Sequence, residues 1–171
     1  MKNDMIWVNR KWELGISSDL FPMTVSRLRG APARLEELML GVEGDILTKK
    51  FGKAWSIKEE IGHLCLVEGL WLGRMDDYRD KKESLRPAVM DPKLKEIDFN
   101  GMPLEKLLED FRTARREFVS QLEKLEKEDA EMSAHHPRLN KPMRMVDHVY
   151  FAAEHDDHHL AKIYDLVNST D

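Results

Sequence analysis

The amino-acid sequence predicts an all-α protein, a four-helix bundle with a long crossover between its second and third helices. Three observations carry that prediction. Apolar residues recur at helical spacing in four separate segments. No segment shows the clear alternation of a half-buried strand. The connection after the second segment, "DKKESLRPAVMDPKLKEIDFNGM", is far longer than the roughly 2–8 residues usual between bundle helices. The 171 residues suit one domain, residues 1–171, with residues 1–20 as an N-terminal arm.

Within the arm, "IWVNRKWEL" could be extended, but it is short and isolated. The first helix is expected from about Pro22 to Val42, with Leu28, Leu35, Leu38 and Met39 on one stripe. Gly30 and Pro32 should kink or split it. The second opens at "SIKE", where Ser56 and Glu59 have the spacing of a capping box. It continues through Ile57, Ile61, Leu64, Trp71 and Met75 to about Tyr78. The third opens at Pro103, a favourable first-turn residue, and runs through Leu107, Phe111, Phe118 and Leu122 to about Leu125. The fourth opens near Pro142 and holds Met145, Val149, Ala152, Leu160, Ile163 and Val167 on one face.

Composition narrows the function. With 42% hydrophobic and 35% charged residues the chain is globular with a charged surface. The net charge of −5, with basic residues interleaved among acids, argues against nucleic acid and anionic membrane as partners. Cys65 is the one cysteine, so no disulfide can form within the chain, and a reducing, cytoplasmic setting is expected. The N-terminal "MKNDMIWVNRKWELG" is too polar for a secretory signal, and no apolar run approaches the ~20 residues of a membrane span. Leu66, Val67 and Leu70 broaden the apolar face of the second helix beyond one stripe, which suggests a homodimer.

The chemistry concentrates in "AEHDDHHLA", residues 153–161. His155 and His159 stand four apart, about 40° around a helix axis, a spacing that lets two imidazoles reach one ion. His158 turns away from that stripe and reads as a rim residue. Asp156 stands where a zincin would carry glutamate, so that signature is absent. A facing helix must supply further ligands, and His63, in "EEIGHLCLVEGLW", is the candidate. Cys65 lies about 200° from His63 around the helix and is expected to pack. His148 falls about 10 Å along the axis from His155, too far to share its ion. His135 and His136 belong to the segment before the last helix, with turn chemistry as their expected role.

Glu68 and Asp156 interrupt apolar stripes, and buried acids require a partner. Each is a candidate catalytic residue, for proton transfer or for orienting a ligand histidine. A di-metal reading is also open. Glu60-x-x-His63 and Asp156-x-x-His159 share a spacing used in carboxylate-bridged bundles, and Glu36, Glu37, Glu109 and Glu117 could complete such a site. It leaves His155 without a role.

Four segments, "RLRGAPARLEEL", "WSIKEEIGHLCLVEGLWLGRMDDY", "PLEKLLEDFRTARREF" and "HPRLNKPMRMVDHVYFAAEHDDHHLAKI", resemble the DinB/YfiT-like superfamily of bacterial metal-binding four-helix bundles in order and spacing. W-S-I-x-E-x-x-x-H followed by H-x-x-x-H is the most specific element. The resemblance implies a divalent ion, zinc or nickel first, with iron or manganese compatible, held by His63, His155 and His159. Position 148 is not a usual ligand position in that family. Some relatives transfer or use low-molecular-weight thiols and others are described as metal-dependent hydrolases. A metal-dependent transferase or hydrolase acting on a small-molecule substrate, with a low-molecular-weight thiol as a conceivable partner, is therefore expected. The alternative is a non-catalytic metal-binding, structural or stress-related interaction protein. Family members are often dimers.

Overall fold

The computed structural model describes residues 6–88 and 96–169. Four helices, α1 (Phe21–Leu38), α2 (Ile57–Arg79), α3 (Leu104–Leu122) and α4 (Met145–Val167), pack as a bundle. Helix α1 lies against α3 and α4, and α2 lies against the same two, so α1 and α2 occupy opposite corners. The core divides into two apolar clusters. One holds Leu28, Trp71, Met75, Phe118, Leu122 and Val149; the other holds Leu35, Ile57, Ile61, Phe111, Leu160 and Ile163. Residue order through the clusters shows that α1 and α4 run one way and α2 and α3 the other. The chain from Arg79 to Leu104 must therefore return from the first cluster to the second. Part of that expected crossover, residues 89–95, lies outside the described residues.

Helix α2 starts as its sequence dictates. Glu59 donates its backbone N–H to Ser56 Oγ at 3.2 Å, and the Ser56 N–H donates to Glu59 Oε2 at 2.9 Å. Helix α1 departs from expectation. It is not split at Gly30 and Pro32 but continues through Pro32 to Leu38. Proline has no N–H to offer the carbonyl four residues earlier. That carbonyl, on Leu28, accepts instead from Arg115 Nη1 at 3.1 Å. The helix stops short of Val42 because Gly41 and Gly44 turn the chain with φ of 72° and 79°.

The bundle also carries two short strands, which the sequence does not predict. Residues Ser133–His136 (β1) and Lys141–Arg144 (β2) pair antiparallel, with Ser133 opposite Arg144 and His136 opposite Lys141. Asn140 turns the ribbon at φ 52°. Four-residue strands containing proline and two histidines give no alternation to detect, so this segment reads as a loop in sequence. Pro142 lies in β2, and α4 begins at Met145. Asp147, in its first turn, accepts from the N–H groups of Gly15 at 2.7 Å and Ile16 at 3.1 Å. This fastens the arm to the helix start, where acids also oppose the helix dipole favourably.

The arm is not an extended strand. Trp7–Asn9 form a 3-10 turn, and Trp12 is buried. The Trp12 ring lies 4.8 Å from Trp7 and 4.5 Å from Phe151 of α4. Arg10 reaches Glu154 at 2.6 Å. Among the described residues, no helix is long and apolar enough to cross a membrane.

Candidate metal centre

Because α2 and α4 are neighbours, His63 faces the His155/His159 pair. Nε2 of His155 lies 3.2 Å from Nε2 of His63 and 3.2 Å from Nε2 of His159. Tetrahedral nitrogen ligands at the ~2.0–2.1 Å of a zinc bond stand about 3.3 Å apart. The spacing therefore suits three ligands around one divalent ion. Among the described residues, these three are the one group of His, Cys, Asp and Glu side chains close enough to hold a metal.

Proton bookkeeping leads to the same fit. His159 Nδ1 lies 2.5 Å from Glu60 Oε2, so it carries the hydrogen and its Nε2 presents a lone pair. One proton on His155 Nε2 could satisfy His63 or His159 but not both. A cation at the point of convergence satisfies all three. Burial also keeps His63 and His155 neutral, as metal binding requires. It pushes His63 down to about 3 and His155 well below its ordinary value, with nearby His159 adding repulsion in both cases. Trp7 and Trp71 set their rings edge-on to His155 at 5.0 and 5.4 Å, and Trp55 packs 4.9 Å from His63.

Glu60 is buried, with His159 on one oxygen and Lys162 Nζ 3.5 Å from the other. It stands one turn before His63 on α2, the spacing that placed it in the di-metal reading, but its carboxylate reaches across to α4. Two other acids of that reading are engaged elsewhere: Asp156 with Arg115, and Glu36 with Arg112 at 2.6 Å.

Glu68 and Asp156 do not line the cavity beside the histidines. They lie between the two apolar clusters, clamped on Arg115 of α3. Nε of Arg115 donates to Glu68 at 3.0 Å, and Nη2 donates to Asp156 at 2.9 Å. Short bonds from Nη2 to Glu68 and from Nη1 to Asp156, with the Nη1 bond to the Leu28 carbonyl, use all five guanidinium hydrogens. The network ties all four helices at mid-height. Burial pushes the Glu68 carboxyl up to about 7 against the pull of Arg115. Arg115 occupies a stripe position between Phe111 and Phe118, and a charged residue there is the sequence signal that could have revealed it.

The remaining histidines have other settings. His158 lines the cavity with its ring 5.2 Å from His159, but it is not one of the converging three. His148 is buried against Trp71 and Tyr78. His135 and His136 lie in β1 rather than a loop, and His136 Nδ1 accepts from the Leu139 N–H at 3.2 Å, closing the ribbon's turn. Cys65 donates its thiol to the Leu107 carbonyl at 3.5 Å, and burial pushes it up to about 12. The three histidines open onto a cavity of about 860 Å³ walled by Trp7, Trp55, Trp71 and Phe151.

The model of the DinB superfamily matches residues 27–163. The chain belongs to the DinB superfamily. In this DinB chain the matched span includes α2 and α3 whole, the greater part of α1 and α4, and every histidine. No curated protein matches it in sequence. The fold is shared with YfiT from Bacillus subtilis, a probable metal-dependent hydrolase with an unusual four-helix bundle topology. The two align with a TM-score of 0.75 over 92% of this chain and 91% of that one, at 17% identity. At that identity the likeness is one of fold.

Proposed function

We propose that this DinB chain is a metal-dependent hydrolase of a small-molecule substrate, with one divalent ion on His63, His155 and His159. The observation that carries the reading is the convergence of three imidazoles at the wall of a large cavity, with no fourth protein ligand among the described residues. Three protein ligands and an open position are the pattern of catalytic rather than structural zinc sites. An ion there would supply Lewis acidity, polarising an acyl or phosphoryl oxygen and making water more acidic. The chain's own contributions are orientation and exclusion of solvent. Glu60 fixes the tautomer of His159 and so aims its Nε2. Trp7, Trp55 and Trp71 keep bulk water from the imidazoles and offer flat apolar surface to a substrate. Similarity in fold to YfiT supports the same reaction class.

Zinc suits three nitrogens and an open position, and nickel, iron and manganese are to be compared with it. The same centre could present an external low-molecular-weight thiol in place of water; Cys65, protonated and bonded to Leu107, does not supply one. The test is to strip the protein of metal, restore each ion, and screen ester and amide substrates with and without added thiol. Metal-dependent turnover without thiol, lost in His63→Ala, is the expected result. Turnover that requires thiol would make the protein a transferase. Stoichiometric metal with no turnover in either class would make the site non-catalytic.

A further inference from the structure

The cavity has a second chemical feature beyond Trp71. Arg74, one turn further along α2, lines it while being 1% exposed. Its Nε donates to the Arg86 carbonyl at 3.1 Å. Among the described residues, nothing accepts from its Nη1 or Nη2. The buried acid one turn on, Asp77, is already taken. It accepts from the Arg86 backbone N–H at 2.8 Å, from Arg86 Nε and Nη2 at 2.9 Å each, and from Lys82 at 2.8 Å. A buried guanidinium with two idle nitrogens and no counter-ion is costly unless a ligand completes it.

The surroundings are built to hold Arg74 in this pose. Arg86 lies across Gly73, where a Cβ would stand 2.0 Å from its Nη1, so only glycine permits that path. Asp77 thus clamps Arg86, and the Arg86 carbonyl orients Arg74. Arg138 adds a further positive charge to the same cavity. Among the described residues, the one acid in the lining, Glu60, is engaged by His159 at the histidine end. Trp71 stands between the two ends, its ring 5.8 Å from Arg74 Cζ and 5.4 Å from the His155 ring.

We propose that Arg74 recognises an oxyanion of the substrate, a carboxylate or a phosphate, gripping it with Nη1 and Nη2 while the apolar body of the substrate lies over Trp71 toward the three histidines. The planar fork of arginine matches either group. The assignment rests on the cavity being the substrate site of the proposed hydrolase, and it deepens that reading by naming the substrate class: acidic compounds with an apolar body.

The test measures binding rather than turnover, in metal-free protein, so that no ion competes for the anion. Calorimetric titrations compare 3-phenylpropionate, phenyl phosphate and the neutral 3-phenylpropionamide. The wild type is expected to bind at least one anion roughly ten-fold or more tighter than the amide. Arg74→Gln should lose that preference while binding the amide as before, and Arg74→Lys should retain part of it. Whichever anion shows the larger loss identifies the source of the oxyanion. Equal binding of anions and amide by the wild type, binding of neither anion, or a preference undiminished in Arg74→Gln would each overturn the assignment. Should Arg74→Gln bind no ligand at all, Arg74→Lys decides, and a preference equal to wild type there counts against it. Failure of metal-dependent turnover would leave this result untouched, which separates the two proposals.

Discussion

Replacing Arg115 by methionine should come close to unfolding the protein at pH 7. The substitution strands Glu68 and Asp156, both buried, and orphans the Leu28 carbonyl that Pro32 leaves without a helical donor. Breaking a buried ion pair by removing one partner costs about 3–5 kcal/mol, and an unmet buried carbonyl about 1 more. A loss of about 5 kcal/mol compares with the roughly 5–15 kcal/mol that holds a typical domain together. Urea unfolding followed by circular dichroism reads it directly. The loss should shrink as pH falls from 7 toward 5. Burial already raises the Glu68 carboxyl above its unfolded value, and without Arg115 nothing opposes that rise, so its cost is present at high pH and disappears on protonation. Replacing Glu68 and Asp156 by leucine together with Arg115→Met should recover stability to within about 2 kcal/mol of wild type. A loss under about 1 kcal/mol for Arg115→Met, or one that grows in acid, would refute the view that the triad is a structural tie. That view also separates Glu68 from the catalytic role its sequence position suggested: Glu68→Gln should lower the unfolding midpoint and leave metal affinity unchanged.

Glu60→Gln should weaken metal binding by about 10–100-fold, because the group fixing the His159 tautomer loses its charge; competition against a chromophoric chelator measures this, and unchanged affinity would remove Glu60 from the centre. Metal-free protein should lose stability as pH falls from about 6.5 toward 4. Burial pushes His136 down to about 4 and His148 well below its ordinary value, so the unfolded chain takes up protons first, at up to about 1.4 kcal/mol per pH unit for each group. His148→Phe should flatten that slope in denaturant titrations, and an unaltered slope would contradict the burial argument.

Much of this was legible in the sequence because helices announce themselves. The capping box at Ser56 and the apolar stripes located α2 and α4 closely, and four-residue spacing brought His155 and His159 together with His63 opposite. What the sequence hid depends on pairing across the fold. The β1–β2 ribbon is held by register and by backbone bonds to Glu83 and Leu85, which leave no periodic trace in eight residues. Glu68 and Asp156 read in the sequence as acids needing partners, but their partner, Arg115, lies on α3, far from both in the chain. Pro32 looked like a breaker because the donor that compensates it, Arg115, is 83 residues away in the chain. Arg74 raised no signal, since a lone arginine on α2 reads as surface until its burial and idle nitrogens are seen.

The most direct test of the account is X-ray absorption spectroscopy of the metal-loaded protein, with metal analysis on the same samples. The expected result is one ion per chain, three imidazole nitrogens at ~2.0–2.1 Å if the metal is zinc, and at least one further light scatterer that exchanges with added ligand. His63→Ala, His155→Ala or His159→Ala should each lose stoichiometric metal, while His158→Ala keeps it. Coordination completed by a fourth protein side chain, or full occupancy in His63→Ala, would contradict a three-histidine centre open to the cavity.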